Sequence, residues 1–120
     1  MGHLTGIDHV QLAMPVGAEA QARQFYAGVL GLAEIPKPAP LAVRGGVWFQ
    51  CGGAQLHLGA DPEFQAAKKA HPALLVADFA LFSAILAGHG VTLKAEEVVA
   101  GRQRATLFDP FGNRLELIEA

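Results

Sequence analysis

Two stretches of the chain share one pattern. The first is Phe49-Gln50-Cys51-Gly52-Gly53-Ala54-Gln55-Leu56-His57-Leu58 and the second is Phe108-Asp109-Pro110-Phe111-Gly112-Asn113-Arg114-Leu115-Glu116-Leu117. At a constant offset Phe49 meets Phe108, Gly53 meets Gly112, Leu56 meets Leu115 and Leu58 meets Leu117. Gln55 then meets Arg114, and His57 meets Glu116. Each stretch reads as strand, turn, strand, with aliphatic residues on one face of the last strand and polar ones on the other. A chain that carries such a stretch twice is expected to fold as two copies of one unit.

The rest of each half supports the repeat. Ile7 to Met14 alternates, with Val10, Leu12 and Met14 on one face and His9, Gln11 and Ala13 on the other. Pro15 and Gly17 end this strand. Residues Ala18 to Leu30 have a stripe of Ala22, Phe25, Tyr26, Val29 and Leu30 at helical spacing, with Gly31 placed as a C-terminal cap. Leu32 to Ile35 is a short apolar stretch. Pro36, Pro38 and Pro40 predict a stiff loop, followed by an edge strand over Leu41 to Arg44. Val47 to Gln50 and Gln55 to Leu58 form a hairpin. In the link, Asp61, Pro62 and Glu63 give a helix-start signal, predicting a short helix over Pro62 to Ala70. The second half opens with a strand at His71 to Ala77. Asp78 caps a helix from Phe79 to Gly88, with Phe82, Ile85 and Leu86 on its stripe and Gly90 at its end. Val91 to Lys94 and the hairpin of Arg104 to Phe108 with Asn113 to Glu119 complete it. The separation of His9 from His71 is three residues longer than that of the hairpins, as a shorter strand-to-helix connection in the second half requires. The expected architecture is one α+β domain over residues 1–120. It has module one at about 7–58, a connector at 59–70 and module two at about 71–119.

Composition narrows the function classes. With 52% apolar and 17% charged residues the chain should fold around a real core rather than stay disordered. A net charge of −2 gives no basic surface for nucleic acid or an anionic membrane. No run approaches a membrane span, and the first residues lack the charged and apolar regions of a secretory signal, so a cytoplasmic protein is expected. Cys51 is the only cysteine, which rules out an internal disulfide and a thiolate metal cluster. It reads as a small packing or turn residue.

Four residues occupy repeat-related places: His9 and His71 in the opening strands, His57 and Glu116 in the closing strands. Each lies on the less apolar face of its strand. If helices cover one face of a curved sheet in each half, the other faces make the walls of a concave trough lined by three imidazoles and a carboxylate. Such a set suits a divalent metal (Zn, Ni, Co, Fe or Mn) with positions left for water or substrate. Such a metal would act as a Lewis acid toward a substrate oxygen. His57, if not a ligand, is a candidate base, because imidazole titrates near neutrality. Arg44, Arg102 and Arg104 lie in or near loops and are candidates to hold an anionic group of a substrate.

The segments Ile7 to Leu12, Phe25 to Leu32 and, above all, Asp109-Pro110-Phe111-Gly112-Asn113-Arg114-Leu115-Glu116-Leu117 resemble the vicinal oxygen chelate superfamily. That superfamily includes glyoxalase I, fosfomycin- and bleomycin-resistance proteins and extradiol dioxygenases. The resemblance covers nearly the whole chain. It implies paired βαβββ modules with a curved mixed sheet and a concave metal trough, and a homodimer. It also implies a small-molecule substrate that chelates the metal through two adjacent oxygens. Carried over, the metal positions are His9, His71 and Glu116, with His57 at the fourth, and Glu116 and His57 are the catalytic candidates. Glyoxalase I relatives usually carry Glu at the fourth position, where this chain has His57. A glyoxalase-like lyase or isomerase is the leading expectation. The alternatives are an extradiol-type ring-cleaving dioxygenase and a resistance-type protein that binds a small molecule without catalysis.

Overall fold

The computed structural model describes residues 2–120 and divides into two compact units, one up to Gln65 and the other Ala66–Ala120. The first unit contains β1 (His9–Met14), α1 (Glu19–Arg23), β2 (Ala33–Ile35), α2 (Ala39–Ala42), β3 (Val47–Cys51) and β4 (Ala54–Ala60). The second contains β5 (Ala73–Val76), α3 (Phe79–Gly88), β6 (Lys94–Ala95), β7 (Arg104–Phe108) and β8 (Arg114–Glu119). Each unit builds a four-stranded mixed sheet. The order is β1-β4-β3-β2 in one and β5-β8-β7-β6 in the other, with the opening strand parallel to the closing strand and the rest antiparallel. The α+β class and the paired βαβββ plan read from the repeat are thus the observed ones. Among the described residues no helix is long and apolar enough to cross a membrane.

In the first unit the aliphatic face of the sheet buries Leu12, Met14, Val47, Phe49, Leu56 and Leu58. Over it α1 runs on into a wider, π-type turn across Gln24–Val29, where Leu30 N–H donates to Phe25 O at 2.8 Å. The wide turn brings Ala22, Phe25, Tyr26 and Leu30 inward together, and Tyr26 packs against Phe49 with ring centroids 5.5 Å apart. Gly31 at φ 79° and Gly90 at φ 76° close the helical segments of the two units in the same left-handed conformation, as the repeat requires. In the second unit Val76, Phe79, Leu86, Ala105, Leu107, Leu115 and Leu117 form the core. Asp78 caps α3 as expected, its carboxylate accepting from Leu81 N–H at 3.2 Å.

Five local expectations are corrected. Residues 39–42 form a helical turn rather than leading into an edge strand. Pro38 stands at the cap and Pro40 in the first turn, where a missing N–H costs nothing, so the prolines start a helix instead of forbidding one. Residues 62–70 are not helical. Asp61 spends its carboxylate on Glu63 N–H in a turn, and the following backbone is held by Asn113 and Arg114: Ala67 N–H donates to Asn113 Oδ1 and Ala67 O accepts from Arg114 N–H. The strand expected at Val91 to Lys94 forms only over Lys94–Ala95, and on α3 Ile85 is exposed while Phe79 and Leu86 carry the packing. Finally, the hairpins do not align at one offset throughout. Phe49 pairs with Leu56 and Leu107 with Leu115, so the equivalent of Phe49 is Leu107, not Phe108. The turn between Phe108 and Arg114 holds one residue more than that between the equivalent Gln50 and Gln55.

Candidate functional site

The opening and closing strands set the candidate residues in the same relation in both units. Gln11 pairs with His57 and Ala73 with Glu116. His9 and His71 each lie two residues before those partners, so His9 sits diagonally to His57 and His71 diagonally to Glu116. His57 and Glu116 lie opposite the core face, between buried leucines on either side, yet are themselves only 3% and 5% exposed.

In the first unit the imidazole of His57 is sandwiched. Its ring stacks on Trp48 at 4.0 Å and 4° and on His9 at 4.2 Å and 12°. Trp48 is its direct cross-strand partner. Nε2 of His57 stands 2.9 Å from Gln55 Oε1; with that oxygen as acceptor, Nε2 carries the proton and Nδ1 keeps the lone pair. Nδ1 of His9 is 2.9 Å from the Asp8 carboxylate. Burial, followed by the neighbouring His9, lowers the pKa of His57 from 6.5, so its neutral form prevails at neutral pH. Gly59 lies on this face, and a Cβ there would stand 2.5 Å from the amide end of the exposed Gln11 side chain, which would have to turn aside.

In the second unit Glu116 is held by Arg104, whose Nη2 donates to Oε1 at 2.7 Å. That bond, above all, raises the pKa of Arg104 and keeps it a fixed cation. His71 Nε2 is 3.8 Å from the same oxygen. Thr106, directly across from Glu116, donates its hydroxyl to Glu96 at 3.0 Å. Of the other arginines proposed from sequence, Arg102 donates to Glu119 O at 2.8 Å and Arg44 is exposed. Cys51 is half-buried, and burial raises its thiol pKa, in keeping with an inert packing residue. Sequence reasoning missed Trp48 and Gln55 because neither type carries chemistry alone. Both lie at alternate positions around His57 on paired strands, and that alternation was the available signal.

The donors have the right chemistry for a divalent ion, but their placement within each unit is not that of a metal centre. An ion held by imidazole lies in the ring plane, and the near-parallel planes of His9 and His57 do not meet within the ~2 Å of such a bond. Glu116 already faces a guanidinium. In neither unit, among the described residues, do three or more His, Cys, Asp or Glu side chains stand in an arrangement that could hold a metal ion.

Over residues 6–117 the sequence matches the family described as the glyoxalase/bleomycin resistance protein/dioxygenase superfamily. The chain belongs to this superfamily. A solved structure described as that of a glyoxalase family protein from Bacillus anthracis is 43% identical, with a TM-score of 0.96 over 99% of this chain and 98% of that one. Two more distant members show the shared glyoxalase fold alone. The lactoylglutathione lyase of Agrobacterium tumefaciens is 20% identical, with a TM-score of 0.76 over 99% and 96% of the two chains. The fosfomycin resistance protein of Listeria monocytogenes is 16% identical, with a TM-score of 0.75 over 98% and 94%. None of the curated proteins compared matches the chain.

Proposed function

We propose that this glyoxalase-superfamily chain binds a small organic molecule on the polar faces of its sheets. It does so through its own charges and hydrogen bonds, without a resident metal. One observation carries this reading: the guanidinium of Arg104 sits 2.7 Å from Glu116, on the carboxylate a metal would need. A cation supplied by the chain already neutralises that group. The His57–His9 pair supports it, because near-parallel rings 4.2 Å apart cannot both turn an in-plane nitrogen to one ion. A homodimer belongs to the same proposal, and its mass is measured by analytical ultracentrifugation.

Equilibrium dialysis against Ni²⁺ and Zn²⁺ tests the reading. The unaltered chain is expected to hold neither ion at micromolar concentration, and Arg104→Gln to gain affinity for both. Stoichiometric micromolar binding that disappears in Glu116→Gln would overturn it.

A second reading, a metal-dependent lyase, is favoured by the 3.8 Å approach of His71 to Glu116. Both groups would be open to one ion only if Arg104 left Glu116. In that reading Glu116 and His71 would hold the ion, which would supply Lewis-acid chemistry toward a substrate oxygen. Ring cleavage with ferrous iron would need the same freed carboxylate. Turnover of a hemithioacetal that vanishes in Glu116→Ala supports the lyase; oxygen uptake with a catechol after anaerobic iron loading supports ring cleavage.

A further inference from the structure

On the second unit's sheet, the face opposite the core carries Arg114, Glu116 and Ile118 from β8 and Arg104, Thr106 and Phe108 from β7. Its charges cancel in pairs. Arg104 faces Glu116 at 2.7 Å, and at the neighbouring edge Lys94 stands 4.0 Å from Glu96. Arg114 is different. Its Nε is buried and has no hydrogen-bond partner, and among the described residues no carboxylate pairs with its guanidinium. A buried charged donor left without an acceptor is costly, and such groups are nearly always satisfied in a working protein. The Nε and Nη edge of a guanidinium matches the two oxygens of a carboxylate. Directly across the strand, Phe108 is the register partner of Arg114, so both side chains leave the same face. The Phe108 ring is 54% exposed.

We infer that Arg114 and Phe108 form a subsite for a small organic acid, its carboxylate on the guanidinium and its apolar body on the phenyl ring. The inference rests on the reading that this face takes a small molecule, and it names the class. One uncompensated positive charge balances one carboxylate. A dianion would leave its second charge without a partner, because Arg104 is already spent on Glu116.

Benzoate is the probe, with acetate and inorganic phosphate beside it, on the full chain. Two measurements are made: calorimetric affinity and the ¹H–¹⁵N resonance of Arg114 Nε–H. Benzoate is expected to shift that resonance saturably and to bind more tightly than acetate or phosphate. Arg114→Gln should weaken benzoate by at least about tenfold. Phe108→Ser, a change at an exposed ring that leaves the core intact, should weaken benzoate several-fold and leave acetate unchanged. An Nε–H resonance unmoved at saturating benzoate overturns the subsite, as does phosphate binding more tightly than benzoate. Benzoate binding that is indifferent to Arg114→Gln but shifts Thr106 and Arg104 overturns the subsite while leaving the reading of the face standing.

Discussion

Single residues on the polar faces are fixed by neighbours that the sequence places far away. Asn113 is fully buried, accepts from Ala67 N–H and donates to Asp109 at 3.0 Å. Asn113→Ala should cost about 1–3 kcal/mol by leaving the Ala67 N–H without its acceptor, read as a lower urea midpoint. Part of the candidate set was legible: Gln11 pairs with His57 as Ala73 pairs with Glu116, and His9 and His71 each stand two residues earlier, although His71 lies just ahead of β5 rather than in the strand expected from it. Their partners were not legible. Arg104 read as a loop-edge cation for a substrate, because a diagonal contact across two strands leaves no trace in linear spacing.

Among the elements, α1 is tied to the loop before β3 by one side chain. Glu19 accepts the Gly46 N–H at 2.8 Å, and this bond, with its own backbone N–H, holds its carboxyl below 4.5. A carboxyl whose folded value is lowered adds stability above its unfolded value and loses it as pH falls through the folded one. Acid below 4.5 should therefore weaken the unaltered chain more than Glu19→Gln, as shown by urea midpoints at neutral pH and at about pH 3. Elements with a strong period were readable in advance: α3 runs over Phe79–Gly88 as its cap and end signals indicated. The failures lie where one residue has two uses. Pro38 and Pro40 both break strands and start helices, and Asp61 is equally a helix cap and a turn former. Tertiary partners chose between them, with Asn113 claiming the backbone after Asp61.

For the whole molecule, the duplication was the most legible property and also the most misleading in detail. It gave the fold, but a single offset hid the extra residue in the turn before Arg114, because glycines align well whether or not their strands do. Equal sheet orders predict equal patterns of protection: in hydrogen exchange the central β4 and β8 should outlast the edge strands β2 and β6 in both units. The two halves differ in optics, however. Trp48 is the chain's only tryptophan, and it lies against the imidazole of His57 at 4.0 Å, where the second unit has Thr106. An imidazolium quenches indole emission and a neutral imidazole much less. The pKa of His57 is lowered from 6.5, so fluorescence should stay bright at neutral pH and dim only in acid below that value. The intrinsic emission of the protein is thus a built-in indicator of one proton, and His57→Phe should leave it lit across the same range.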